Sequence, residues 1–381
     1  MNQSVRAYLM LLAEPAVVFA AAAAMLVGGC TYSRPATPIR RADGSTRLAT
    51  AGEMTILRVQ ERQRDEAELA ESLAGCLALR PRASLKQLAI SGGGSQGAWG
   101  AGYLRGWSES GARPEFDIVT GVSTGAILAV FAFLGPEYDG LLERAYTGVR
   151  RRDVLRERPT MLVPFYTSVS SSERLRARLE RQIGPEVMAR VAEEGERGRR
   201  LYVGTVNLDL GLFKAWDMTA LARPRTEESY QRCIDVLMAS MAVGVLYPPV
   251  FLDGAMHVDG GTRRYVFAVV PAADGSAGAT MFVLANARPA VQARYTRNSI
   301  IDIGARSVEL MSDEAFRGSL ARIEMDAERA GMEFRLVLIP EDACTKPGAD
   351  SIMDFDPEVM RCLYDRGVVD ARSAPGGRVA R

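Results

Sequence analysis

Two short stretches of this chain carry the side chains best suited to covalent chemistry. One is a serine between glycines, Gly121-Val122-Ser123-Thr124-Gly125, and the other an aspartate followed by two glycines, Asp259-Gly260-Gly261. A serine hydroxyl attacks an acyl carbonyl only if a base takes its proton, and the oxygen that becomes negative needs hydrogen-bond donors. The G-x-S-x-G pattern meets the first need when it forms a sharp strand-to-helix turn that its small residues permit. Such a turn also sets Ser123 at a helix N-terminus, where the dipole favours developing negative charge.

The run Gly92-Gly93-Gly94-Ser95-Gln96-Gly97 has three readings. It is a plain structural turn, a dinucleotide fingerprint through Gly92, Gly94 and Gly97, or an oxyanion hole in which the amides of Gly92, Gly93 and Gly94 converge on one oxygen. The fingerprint needs an acidic residue at the end of the following strand. Asp117 stands at the beginning of that strand, which runs on into Gly121-Val122-Ser123, so no nicotinamide cofactor is expected.

The usual base is a histidine oriented by a carboxylate. His257 is the single histidine and lies two residues before Asp259, so in an extended segment the two side chains point the same way. A triad using His257 with Asp209, Asp217, Asp235 or Asp253 leaves Asp259-Gly260-Gly261 explained only as a turn. From the residues alone the base stays open between His257 and Asp259. An aspartate of ordinary pKa, ~3.9, is a poor base near neutral pH, so Asp259 can serve only in a dry surround.

These residues need rigid elements to hold them. Leu88-Ala89-Ile90 reads as a buried strand entering the glycine run, with a helix from Ala98 to about Ser110. Residues 116–120 read as a second strand, 121–125 as a turn and 126–134 as an apolar helix. Strand, helix, strand, helix in so short a span predicts a parallel sheet covered on both faces. Further strands are expected at 201–206, 281–285 and 334–339, and helices at 172–183, 229–242 and 299–330. Both loops then follow the carboxyl ends of parallel strands, where such sheets place ligands.

With its glycine loop, its Ser123 elbow and Asp259-Gly260-Gly261 in that order, the chain resembles the patatin-like phospholipases. The resemblance covers residues 85 to 340, including Leu201 to Met218 and Tyr247-Pro248-Pro249. It implies an α/β, three-layer patatin-like fold, with a mostly parallel central sheet and helices on both faces. It further implies a Ser123–Asp259 dyad, with Asp259 as the base and His257 a partly exposed bystander, and cleavage of fatty-acyl esters, as a phospholipase A or lysophospholipase, through an acyl-serine without metal or other cofactor. One departure stands in the glycine loop, where Gln96 replaces the family's common Arg or Lys. It leaves open a weakly active or inactive protein with a binding or assembly role.

Composition sets limits. The 381 residues are 48% hydrophobic and 24% charged, enough for a full core, and 47 basic against 46 acidic residues leave a net charge of +1. That balance gives no basic stripe for nucleic acid. The unbroken apolar run Ala16 to Val27 ends in Val27-Gly28-Gly29-Cys30 and is too short for a span of roughly 20 residues. It resembles a lipoprotein signal peptide with Cys30 as the lipid attachment point, against a plain cleaved signal or an uncleaved anchor. Thr31 rather than Asp after Cys30 favours the outer membrane of a bacterial envelope, facing the periplasm. Export puts Cys344 and Cys362 in an oxidising compartment where they can pair, although pairing does not follow from sequence.

The expected organisation is a signal peptide over 1–30, a tether and edge helix over 31–84, a catalytic domain over 85–345 and a partly disordered extension over 346–381. The Arg/Glu run from Arg174 to Arg200 reads as a solvated helical face. Met161 to Tyr166 and Leu246-Tyr247 are candidate acyl-chain lining, or core.

Overall fold

Leu88 and Ile90 of the first core strand face one hydrophobic cluster and Ala89 the other; Phe282 and Leu284 alternate in the same way with Met281, Val283 and Ala285. Period-two alternation of buried residues on both faces is the mark of a sheet sandwiched between helices. A computed structural model describes residues 38–40, 46–48, 50–159, 165–271, 278–291, 293, 295–344 and 353–379. Cys30, with the expected signal peptide, and Met161 to Pro164 lie outside the described residues.

The strands of the main sheet are β1 (Lys86–Ile90), β2 (Ile118–Val122), β3 (Arg200–Asn207), β4 (Leu212–Asp217), β5 (Val250–Leu252), β6 (Ala255–Asp259), β7 (Thr280–Ala285), β8 (Glu333–Leu338) and β9 (Arg378–Val379). They lie in the order β9-β8-β7-β1-β2-β3-β6-β5, with β4 also paired to β3. The five strands from β8 to β3 are mutually parallel; β4, β5, β6 and β9 pair antiparallel. This is the mostly parallel central sheet that the sequence led us to expect.

The helices used below are α1 (Ala51–Leu77), α2 (Gly97–Glu109), α3 (Thr124–Leu134), α4 (Asp139–Tyr146), α5 (Glu173–Gln182), α6 (Pro185–Glu196), α7 (Glu227–Ser240), α8 (Ile300–Arg329) and α9 (Pro357–Ser373). Residues of α1 and α8 join the cluster on one face of the sheet, and α2 to α7 with α9 the cluster on the other.

Several expectations need correction. Within the expected extension over 346–381, α9 runs from Pro357 to Ser373 as a helix and lies with its backbone against α2. Side chains at Gly102 and Gly106 would overlap the carbonyls of Tyr364 and Val368, and one at Gly367 would overlap the Trp99 carbonyl. Glycine on both helices permits this approach, and a disulfide between Cys344 and Cys362 ties the start of α9 to the chain that follows β8. Within the expected tether, Pro38–Arg40 pairs antiparallel with Thr46–Leu48. Nor is the Arg174–Arg200 run wholly solvated: Glu194 and Arg199 are buried and ion-paired at 2.9 Å.

Candidate active site

Register brings Ser123 and Asp259 together. β2 pairs with β3 up to Val122↔Gly204, and β6 pairs with β3 down to Asp259↔Thr205. Since β4 occupies the other edge of β3 from Tyr202 to Asn207, β2 and β6 share one edge and meet end to end at the Gly204–Thr205 step. The residue after β2 is Ser123 and the last residue of β6 is Asp259, so two residues remote in sequence are fixed by neighbouring rungs of one strand.

The elbow is tight. Side chains at Gly121 and Gly125 would overlap the Gly125 and Ser91 carbonyls respectively, and one at Gly260 would come 2.6 Å from the Gly204 carbonyl. Ser123 itself has φ 55° and ψ −130°, outside the comfortable regions for a residue with a Cβ, at a cost of about 1–3 kcal/mol. Its amide donates to Ser240 Oγ at 2.9 Å, and Ser240 donates on to the Gly204 carbonyl at 2.8 Å. We expect Ser123→Gly to be more stable than Ser123→Ala by about 1 kcal/mol, the strain released less the added entropy of an unfolded glycine. Urea midpoints of the two variants measure this, and an alanine variant of equal or greater stability would refute the strain.

Asp259 is 5% exposed. Its carboxylate accepts from the Gly261 amide at 2.7 Å and lies near the Ser123 hydroxyl. Burial pushes its pKa from 3.8 up to about 6, against the opposing pull of those two groups. The dry surround required of an aspartate base is therefore present.

His257 is buried, not partly exposed as expected from sequence. Its Nδ1 shares a 2.9 Å hydrogen bond with Thr205 Oγ1, which also accepts from the Trp216 indole at 2.7 Å. Burial, aided by the Lys214 cation, pushes its pKa down to about 4. The usual order of basicity is thus inverted, and Asp259 is the stronger base of the two. The carboxylates considered for a triad are engaged elsewhere: Asp217 caps a short helix, Asp235 and Asp253 pair with Arg176 and Arg232, and Asp209 accepts from the Met256 amide.

The glycine loop needs one correction. The Gly92 amide donates to the Tyr265 carbonyl at 3.0 Å and has no free proton for an oxyanion. Gly92 serves by lacking a side chain, since a Cβ there would sit 3.3 Å from Ser123 Cβ and 3.6 Å from the Tyr265 ring. The amides of Gly93, at φ 152°, and Gly94 donate to no acceptor among the described residues. Gln96 is half-buried, with its amide bonded to the Gly93 carbonyl, and a side chain at Gly97 would strike Thr124 and Tyr146.

Three residues that shape the site were not singled out from sequence. Asn286, just past β7, donates through its backbone to Ser91 Oγ at 2.8 Å and through its side chain to the Ser91 carbonyl at 2.9 Å. Ser240 and Tyr265 are the others, and none carries a local pattern that would mark it.

A pocket opens from Ser123 and Gly94, lined by apolar side chains that include Ile127, Val149, Val154, Met241, Tyr247 and Phe355. Of the lining expected from sequence Tyr247 takes part, whereas Leu246 packs against the core and Phe165 and Tyr166 are exposed away from the pocket. Among the described residues no cluster of His, Cys, Asp and Glu is arranged to hold a metal ion, and no helix is long and apolar enough to cross a membrane.

Residues 88–272 match the model of the family described as patatin-like phospholipase. Among solved structures the chain is similar to the crystal structure of VipD from Legionella pneumophila, at 13% identity and a TM-score of 0.34, with 76% of this chain and 67% of that chain covered. No curated protein matches the chain.

Proposed function

Because the chain carries a patatin-like phospholipase domain over residues 88–272, a family of lipid acyl hydrolases, we propose that it hydrolyses fatty-acyl esters of membrane lipids through a Ser123–Asp259 dyad. The observation that carries this reading is the meeting of β2 and β6 at the Gly204–Thr205 step of β3, which sets Ser123 beside a buried carboxylate whose pKa burial has raised to about 6.

In the reaction, Ser123 Oγ attacks the ester carbonyl as its proton passes to Asp259. The amides of Gly93 and Gly94 receive the oxyanion of the tetrahedral intermediate. The intermediate collapses with loss of the alcohol, which takes the proton from Asp259 and leaves an acyl-serine. A water molecule then gives its proton to Asp259 and attacks the acyl carbon; release of the fatty acid returns the proton to Ser123. The oxyanion donors are backbone groups, so the reading does not depend on a cation at Gln96.

A lipid on Cys30 and a place in the bacterial cell envelope, at the outer membrane facing the periplasm, belong to the same proposal. The apolar run ending at Cys30 supports it, as does the Cys344–Cys362 disulfide, a bond that persists in oxidising compartments. Such an anchor would hold the pocket near its substrate.

The test is release of p-nitrophenol from esters of graded acyl length by the full chain, with labelling of Ser123 by a fluorophosphonate. A chain that neither turns over an ester nor takes the label is no esterase. For the active enzyme, kcat/KM should rise with pH through about 6, where Asp259 loses its proton, and show no second inflection from His257. A profile flat from pH 5 to 8 would remove Asp259 from the role of base.

Stability should move the opposite way. The folded pKa lies above the ordinary value, so the dry site favours the protonated acid. That stability is fully present below pH 3.8 and is lost as pH rises through about 6. Asp259→Asn, which keeps the neutral form at every pH, should exceed wild type at pH 8 by up to roughly 3 kcal/mol and match it near pH 4. Urea unfolding at the two pH values decides it, and equal gains at both would contradict the assignment.

A further inference from the structure

Helix α5 presents Leu175, Arg178, Leu179 and Gln182 to the pocket that contains Ser123. These positions are i, i+3, i+4 and i+7, one face of a helix, with Arg178 and Gln182 one above the other in the same row. Leu175 and Leu179 continue the apolar wall; among the described residues Arg178 is the only charged member of the lining.

The other side-chain hydroxyls of the pocket are largely spent. Tyr146 and Thr124 bond each other at 2.8 Å, and Tyr247 donates to the Val154 carbonyl at 3.1 Å. Arg178 is spent only in part: Nη2 donates to the carbonyls of Arg144 and Ala145 at 3.1 Å, where α4 ends. Among the described residues no carboxylate lies within ion-pairing distance of its guanidinium, and the Gln182 side chain makes no hydrogen bond. Asp153 acts on Arg178 only through space.

The fully buried guanidinium groups of Arg113 and Arg199 are paired with carboxylates, and the half-buried Arg288 donates to the carbonyls of Pro340, Glu341 and Ala343. Arg113 meets Asp139 at 2.8 Å and Arg199 meets Glu194 at 2.9 Å. A half-buried cation on an apolar wall is costly unless an anion reaches it. Arg178 keeps its charge there because guanidinium does not deprotonate in proteins.

Resting on the ester-hydrolase reading, we propose that Arg178 and Gln182 form an anion subsite in the pocket, and that the preferred substrate is an acyl ester bearing a phosphate or carboxylate. Arg178 would grip the anion with its free donors, and Gln182 would donate its amide to the same group. The anion can belong to the alcohol, as a lipid head-group phosphate, or to the far end of the acyl chain, as a carboxylate.

Two substrate pairs test the subsite and separate those sources. The first is 1-oleoyl-glycerol against 1-oleoyl-glycerol 3-phosphate, and the second is p-nitrophenyl pentanoate against the p-nitrophenyl monoester of glutaric acid. The full chain should favour the charged member of one pair in kcat/KM by roughly 10- to 100-fold, the effect of one charge-assisted hydrogen bond. That ratio should collapse in Arg178→Gln and return in part in Arg178→Lys. Preference in the first pair assigns the anion to the head group, and in the second to the acyl end.

No preference in either pair, or equal losses on charged and neutral members in Arg178→Gln, overturns the subsite and leaves Arg178 as a cap on α4. If no ester is hydrolysed, the hydrolase reading fails by itself and binding decides the subsite. Octyl phosphate should then raise Tm above the value in octanol for wild type but not for Arg178→Gln, and equal shifts in the two proteins refute the subsite.

Discussion

Ser123→Ala and Asp259→Asn should each lower kcat/KM on p-nitrophenyl esters by about 10⁴-fold or more, the scale at which a nucleophile or its base fails in other serine hydrolases. His257→Ala should stay within about tenfold of wild type. The contrast follows from the two side chains' surroundings. Asp259 is held against the Ser123 hydroxyl and raised to about 6, whereas His257 is bonded to Thr205 and depressed to about 4. Combining Ser123→Ala with Asp259→Asn should cost little more than either alone, because residues that act as a unit are not additive. An inactive His257→Ala that remains folded by circular dichroism would restore the triad.

The largest structural effect is expected at Gly102. A side chain there would overlap the Tyr364 carbonyl on α9, which is backbone and cannot swing aside. Gly102→Val should therefore push α2 and α9 apart and cost more than about 4 kcal/mol, beyond the usual range for overpacking. Gly111→Val, at a turn with nothing nearby, is the control for an added side chain; its own cost comes from a positive φ and should be smaller. Equal denaturation midpoints for wild type and Gly102→Val would show that the two helices do not touch as described.

The parts of the site that sequence revealed are those whose constraint is local. Gly121 and Gly125 are needed within one strand-to-helix turn, so the pattern around Ser123 is visible in a few residues, and the same holds for Asp259-Gly260-Gly261. The core strands were legible because the sheet is covered on both faces, which makes each a short apolar run. What stayed hidden depends on partners remote in the chain. The acceptor that consumes the Gly92 amide is the carbonyl of Tyr265, and Ser91 is held by Asn286 after β7. Arg178 was submerged in a charged run whose other members mostly face water. Helix α9 was missed because its one glycine, Gly367, gains its meaning only from α2, which it lets approach.

The junction of β2 and β6 on β3 has a kinetic meaning as well. Neither Ser123 nor Asp259 belongs to a local unit that contains the other, so their encounter waits on a pairing of high sequence separation. A chain synthesised only as far as β3 holds a serine on a strained turn with no base beside it, and should be chemically inert. Recovery of esterase activity during refolding would thus mark the docking of β6 and lag behind the recovery of helical circular dichroism.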